Sequence, residues 1–222
     1  MSPWVAFFTW ELKLVYKTGG SLVNILGFFA IFVLLFPIGG GFDSDNLSKL
    51  APIILWIGSL LSVFIALDRY FLLDSEDGTL EYLSLSALPI EIIILIKMLS
   101  HWLTTGLPLT ILSPLFAITL NLPTNMYGWL MLSLLIGTPA LSFIGAIAAS
   151  LTLCVRRGSL LIALIAIPLY LPTLIFGIKI IELSINGEKV LTAFLLLSAT
   201  TLISFVIAPF ISASAIRIHW KY

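Results

Sequence analysis

The stretch LAPIILWIGSLLSVFIAL (50–67) contains no charged residue and is followed directly by Asp68 and Arg69. A helix needs about 20 mostly apolar residues to cross the hydrocarbon core of a bilayer. Residues 50–67 come close to that length without interruption. They are therefore predicted to form a transmembrane helix that ends at a membrane surface.

Five further apolar stretches flank this one and predict an all-α integral membrane protein with six transmembrane helices in a single domain, 1–222. Pro108 and Pro114 interrupt the third span, and proline removes a backbone donor from a helix. Such breaks are tolerated beside other helices or a cavity, as in transporters, and ordinary packing of kinked helices is an equal alternative. The predicted spans are residues 21–38, 50–67, 92–120, 127–154, 159–181 and 190–216.

The composition points to lipid as the main solvent. Of the 222 residues, 60% are hydrophobic and 10% are charged, whereas soluble domains usually carry about 25% charged residues. Basic and acidic residues number 11 each, which argues against nucleic acid as a partner because phosphate binding needs a basic surplus. The single cysteine, Cys154, leaves no intrachain disulfide and no thiolate zinc site.

Lysine and arginine are concentrated in the loops on one side of the six-span arrangement. Basic residues stay in the cytoplasm, so both termini are predicted to be cytoplasmic. Glu11, Lys13 and Lys17 interrupt the start of the chain, which argues against a cleaved signal or a transit peptide. We expect a multi-pass membrane protein, and a location in the mitochondrial inner membrane would require that the chain is organelle-encoded. The cytoplasmic basic residues are Lys13, Lys17, Arg69, Arg156, Arg157, Arg217 and Lys221.

Residues 1–20 are predicted to form an amphipathic helix at the membrane interface. Its lysines oppose a face that carries aromatic and aliphatic side chains, the pattern of an interfacial anchor. Glu11 falls on that apolar face. Two interpretations follow: Glu11 extends to the lipid headgroups, or it is buried against another part of the protein and pairs with a cation there. The apolar face consists of Trp4, Phe8, Leu12 and Val15.

The sequence contains no recognisable catalytic apparatus. It lacks GxxxxGK[ST], HExxH, GxSxG and GxGxxG motifs, so nucleotide hydrolysis by the usual loop is not expected. Its carboxylates near the spans, such as Asp68, Glu91 and Glu182, lie close to span ends. Transporters coupled to protons or sodium normally keep an ionisable group at depth, so this class is disfavoured.

Lys97 and His101 are four residues apart on the third span and share a helix face, and Trp102 follows them. A structural polar contact inside the bundle is the favoured interpretation of His101. A role in a transport pathway or conformational change is the second, and a ligand to a metal or haem is the third. One histidine without partners makes a poor metal site, so no metal site is predicted.

The loop DSEDGTLEYLSLSALP (74–89) joins the second and third spans on the cytoplasmic side. Asp77-Gly78 predicts a turn, and Thr79 is predicted to cap a short helix after it. The leucines of this helix would form an apolar surface beside acids, which is typical of a docking site for another protein. The alternative is a helix that only lies on the membrane. These leucines are Leu80, Leu83, Leu85 and Leu88.

Asp68-Arg69, DGTLE (77–81) and Leu88-Pro89 resemble the signature of ABC-2-type export permeases, in which an acid-Arg pair precedes GTLE and a proline. The similarity extends along nearly the whole chain to the heme exporter protein B (CcmB) family. The stretches that carry it are LFPIG (35–39), APIILWIGSLLS (51–62), LDRYF (67–71), DGTLEYL (77–83), KMLSHWLTTGLPLTILSPL (97–115), YGW (127–129), LIGTPALSFIGAI (135–147) and SASAIRI (212–218).

The resemblance implies the permease subunit of an ABC transporter complex for cytochrome c biogenesis, which supports haem export or the release of a haem chaperone. A separate CcmA-like subunit would hydrolyse ATP, and a CcmC-like membrane subunit and a CcmE-like chaperone would handle haem. Haem is then cargo of the complex, and no cofactor is assigned to this chain. An ABC-2 permease for another cargo, such as a lipid, is the alternative. The residues expected to couple the permease to the ATPase are Asp68, Arg69, Asp77, Gly78, Thr79, Leu80 and Glu81.

Overall fold

The computed structural model describes residues 3–17, 20–41, 43–67, 70–86, 88–153 and 158–219. Several positions singled out from the sequence lie outside these ranges, namely Asp68, Arg69, Cys154, Arg156, Arg157 and Lys221. Within them the chain is helical, and six helical stretches are long and apolar enough to cross a membrane. This confirms the predicted all-α class with six membrane-spanning helices.

The helices follow the predicted order. They are α1 (Pro3–Lys17), α2 (Gly20–Gly39), α3 (Ser44–Ile65), α4 (Leu72–Glu76), α5 (Thr79–Ser84), α6 (Ile90–Thr104), α7 (Gly106–Thr119), α8 (Tyr127–Leu151), α9 (Gly158–Ile185) and α10 (Leu191–His219), with a 3-10 turn at Thr124–Met126. The fifth span continues to Ile185, beyond the predicted end at residue 181. Helix α8 packs against α3, α6, α7, α9 and α10 and is the centre of the bundle.

The third span is two helices, α6 and α7, that meet at Thr105. Thr105 leaves the helical conformation at φ −120° and ψ −67°, and its hydroxyl donates to the carbonyl of His101 at 2.7 Å. The break is therefore not at a proline. Pro108 lies in the first turn of α7, where a missing N–H costs little, and α7 continues through Pro114.

Side-chain hydroxyls bond main-chain carbonyls near the prolines that lie inside the helices. Ser113 donates to the carbonyl of Thr110 at 2.8 Å, which is the acceptor that Pro114 leaves without a donor. Near Pro139, Thr201 of α10 donates to the carbonyl of Ile136 at 2.8 Å. The first bond lies within α7, whereas the bond from Thr201 joins α10 to α8. Because lipid cannot satisfy a main-chain carbonyl, this second bond favours keeping α8 and α10 packed together.

Candidate functional site

Helices α4 and α5 form a short helical hairpin in the loop between the second and third spans; we call residues 70–86 the docking segment. The turn is at Gly78, whose φ is +71°. The N–H of Asp77 ends α4 by donating to the carbonyl of Leu73 at 3.0 Å, and the N–H of Tyr82 donates to the carbonyl of Gly78 at 3.2 Å. Glycine adopts this left-handed conformation most readily, and the expected turn at Asp77-Gly78 is present.

The predicted helix cap at Thr79 is wrong. Helix α5 begins at Thr79, the N-cap position is Gly78, and no side chain forms a cap hydrogen bond there. The physical reason is the left-handed backbone of Gly78, which ends one helical turn and starts the next without a spacer residue. Thr79 therefore lies inside the first turn of α5, where its hydroxyl is not placed to cap the helix.

Some apolar residues of the docking segment face the bundle and others face outward. Leu80 is buried against the bundle, whereas the side chains of Tyr82 and Leu85 are 79% and 85% exposed. Asp77 and Glu81, also expected to act in coupling, are exposed beside them. An exposed aromatic and aliphatic pair next to acids, held in place by a buried leucine, is suited to contact with another protein.

A buried ionic cluster connects the docking segment to two other helices. The Nζ of Lys97, on α6, lies 2.8 Å from Oε1 of Glu11 on α1 and 2.7 Å from Oδ2 of Asp74 on α4. All three side chains are buried. Of the two interpretations of Glu11, the structure supports burial and pairing with a cation. Ions this far from water persist only when they are paired.

The electrostatics of this cluster are unbalanced because two carboxylates face one ammonium. Burial raises the pKa of Glu11, an effect that the positive charge of Lys97 opposes. Burial, with the negative charges of Glu11 and Asp74, also raises the pKa of Tyr70 well above its ordinary value, so its phenol stays protonated. Among the described residues, Oε2 of Glu11 and the hydroxyl of Tyr70 have no hydrogen-bond partner.

His101 and Trp102 both bond to α8. The Nδ1 of His101 lies 3.0 Å from the hydroxyl of Ser142, and its ring packs on Tyr70 with centroids 4.7 Å apart. The indole N–H of Trp102 donates to the hydroxyl of Thr138 at 3.0 Å. These contacts favour a structural role, although Nε2 of His101 is buried without a partner in the described part of the chain.

No metal centre is found in the part of the chain that the structure describes, because no three His, Cys, Asp or Glu side chains come together there. At the same end of the bundle as the docking segment, Arg217 Nη2 of α10 pairs with Glu91 Oε1 at the start of α6, at 2.5 Å. This pair places the last described turn of the chain beside the loop between the second and third spans.

Sequence reasoning missed Asp74 as the second partner of Lys97. Asp74 is one of several acids in a polar loop, and no periodicity distinguishes it from Glu76 or Asp77. The misplaced Glu11 on an apolar face was the one signal that a buried cation would be present nearby.

Comparison with known proteins gives a consistent result. A family model described as CcmB protein matches residues 3–219. Heme exporter protein B of Paracoccus denitrificans is 46% identical over 95% of this chain and 97% of its own length. The proteins of that name from Rhodobacter capsulatus and Pseudomonas aeruginosa are 44% and 41% identical, over 95% and 94% of this chain and 97% and 93% of their own lengths.

Proposed function

This chain belongs to the CcmB family, and we propose that it is the permease subunit of a haem export complex that serves cytochrome c maturation. Its relatives over nearly the full length are named for haem export, which favours haem over a lipid or another cargo. The chain is a multi-pass membrane protein, and its bacterial relatives favour the inner membrane, with both termini in the cytoplasm as the basic residues predict.

The energy for export would come from a separate subunit. The sequence lacks a nucleotide-binding loop, and the family resemblance implies a CcmA-like ATPase as the partner. A CcmC-like membrane subunit and a CcmE-like chaperone would receive or present haem. In this arrangement ATP is bound by the partner, and haem is the cargo of the assembled complex.

The docking segment is the proposed contact with the ATPase. The observation that carries this assignment is the exposure of Tyr82 and Leu85 at α5, where Leu80 is buried and fixes the short helix to the bundle. Apolar side chains that are exposed at a membrane surface gain most when a partner covers them. A force applied at these two side chains would reach α6 through the few residues between α5 and Ile90.

The experiment compares Leu85→Glu with Leu191→Glu. Both leucines are exposed at the end of a helix, at 85% and 65%, and they lie at opposite ends of the bundle. We expect Leu85→Glu to reduce co-purification of the ATPase at least tenfold and to lower cytochrome c maturation, whereas Leu191→Glu retains both. Normal ATPase binding by Leu85→Glu would contradict the proposed docking site.

A further inference from the structure

Lys97 is placed where three separate parts of the chain meet. Its ammonium group bonds α1 through Glu11 and the docking segment through Asp74, while its backbone belongs to α6. Helix α1 also packs directly on α6. Lys97 lies seven residues from the start of α6, which is about 10 Å along the helix axis at 1.5 Å per residue. The ion cluster therefore lies about two turns into α6, and all three of its side chains are buried.

The cluster resists separation of its members. Withdrawing either carboxylate leaves part of the Lys97 charge unsatisfied in a buried place, and withdrawing Lys97 leaves two carboxylates facing each other. A movement in which Glu11, Asp74 and Lys97 stay in contact is consequently favoured over a movement that separates one of them from the other two. The neighbouring Gly78 turn joins α4, which carries Asp74, to α5, so a displacement of α5 acts on Asp74 over a short covalent path.

We propose that Lys97 is a positioning residue that transmits displacement of the docking segment to α1 as well as to α6. This inference rests on the proposed docking of the ATPase at α5. The amino-terminal helix then moves with the nucleotide state of the ATPase and is more than a passive anchor. Its exposed Trp4, Val5 and Trp10 would shift in the surrounding lipid while Glu11 remains bound to Lys97.

The test measures two distances in the assembled complex by pulsed electron spin resonance. The single native cysteine is removed by Cys154→Ser, and spin labels are attached in pairs to introduced cysteines. Lys49→Cys, at the far end of α3, is the common reference. It is paired with Glu76→Cys to report on the docking segment and with Lys13→Cys to report on α1; all three positions are exposed. Each pair is measured without nucleotide and with a non-hydrolysable ATP analogue.

In the native cluster, both distances are expected to change by at least 2 Å between the two nucleotide states. In Glu11→Leu, which keeps the Lys97–Asp74 pair, the change at position 76 is expected to persist and the change at position 13 to disappear. Lys179→Gln with Glu182→Gln is the control, because it neutralises an exposed pair and should preserve both changes.

Each of the other outcomes contradicts a specific part of the proposal. If position 76 moves and position 13 does not, or if position 13 still moves in Glu11→Leu, the role of Lys97 is wrong and the docking site stands. If neither position moves although the ATPase is bound, transmission through Lys97 fails, and failure of the docking site is recognised separately by normal ATPase binding of Leu85→Glu. A purely structural role for the cluster would change the amount of assembled complex without altering the nucleotide-dependent distances.

Discussion

The indole ring of Trp56 lies directly against the backbone of Gly177, in the volume that a side chain at residue 177 would occupy. Gly137, on α8, approaches the same ring from another helix. Trp56 is fully buried, and its indole N–H donates to the hydroxyl of Ser133 at 3.3 Å. One tryptophan of α3 therefore fixes the approach of both α8 and α9.

The first prediction concerns Gly177. Gly177→Ala should destabilise the protein by about 1–3 kcal/mol, because the new methyl group overlaps an indole that is closed in on all sides. The measurement is the midpoint of thermal unfolding in detergent. Gly128→Ala is the matched control, since nothing lies within 4 Å of a Cβ at that position. Trp56→Phe should partly restore Gly177→Ala, and equal midpoints for the two alanine variants would contradict the packing argument.

Much of the fold was predictable because spans depend on the length and apolarity of a local stretch. The uncharged residues 50–67 predicted α3 apart from its first six residues, and Glu11 on an apolar face left burial beside a cation as one of two interpretations. The partner of Trp56 was not predictable in the same way. Gly177 is one of several glycines within spans, and only the crossing of α3 and α9 selects it.

The break in the third span shows a second limit of the sequence. Proline is the usual sign of a broken helix, so the third span was predicted to be interrupted at Pro108 and Pro114. The chain instead breaks at Thr105, where the close approach of Gly106 to Trp102 and Thr138 fixes the backbone. That approach is a tertiary contact with α8, and local propensity carries no information about it.

The second prediction concerns pH and Glu11. Burial raises the pKa of this carboxyl, so the folded protein binds its proton more tightly than the unfolded chain does. The corresponding stability is fully present below the ordinary pKa of about 4.3 and is lost as the pH rises through the raised value. The unfolding midpoint should fall with rising pH over that window. In Glu11→Gln the unfolding midpoint should depend less on pH over that window. The same pH dependence in both proteins would show that Glu11 is not the group responsible.

The third prediction concerns orientation and follows from the asymmetry of lysine and arginine between the two sides. Reporter fusions that are active only in the periplasm should be active at three positions and silent at three others. A single exchanged loop would contradict the six-span topology. The outward positions are Asp45, Asn125 and Gly187, and the inward positions are Asp77, Arg157 and Tyr222.

The fourth prediction separates backbone strain from space at Gly78. A Cβ there would meet only Oε2 of Glu81, at 3.7 Å, so the residue is constrained by its φ of +71°. Gly78→Asn should be tolerated because asparagine adopts this conformation, whereas Gly78→Val should cost about 1–2 kcal/mol or reshape the turn. Co-purification of the ATPase is the measurement. Equal binding by both variants would show that the turn does not position Tyr82 and Leu85.

The fifth prediction distinguishes the two nitrogens of His101. Nδ1 contacts Ser142 at 3.0 Å, while Nε2 is buried without a partner among the described residues. His101→Asn places an amide near the position of Nδ1, and His101→Gln places one near Nε2. A structural role predicts that Asn is the better replacement, by about 1 kcal/mol in unfolding free energy, because it preserves the contact with Ser142.

Ser142→Ala is the matched control for that contact. It should lower the unfolding free energy by a similar amount in the native protein, and it should cause no further loss when it is combined with His101→Gln. Cytochrome c maturation should follow stability in all these variants, since a structural contact acts only through the amount of assembled complex. The opposite result would be that His101→Gln supports cytochrome c maturation better than His101→Asn while both variants assemble equally. That result would show that Nε2 of His101 has a functional role. His101 would then act in a pathway or a conformational change, because Nε2 has no hydrogen-bond partner in the described part of the chain whose loss could explain that result.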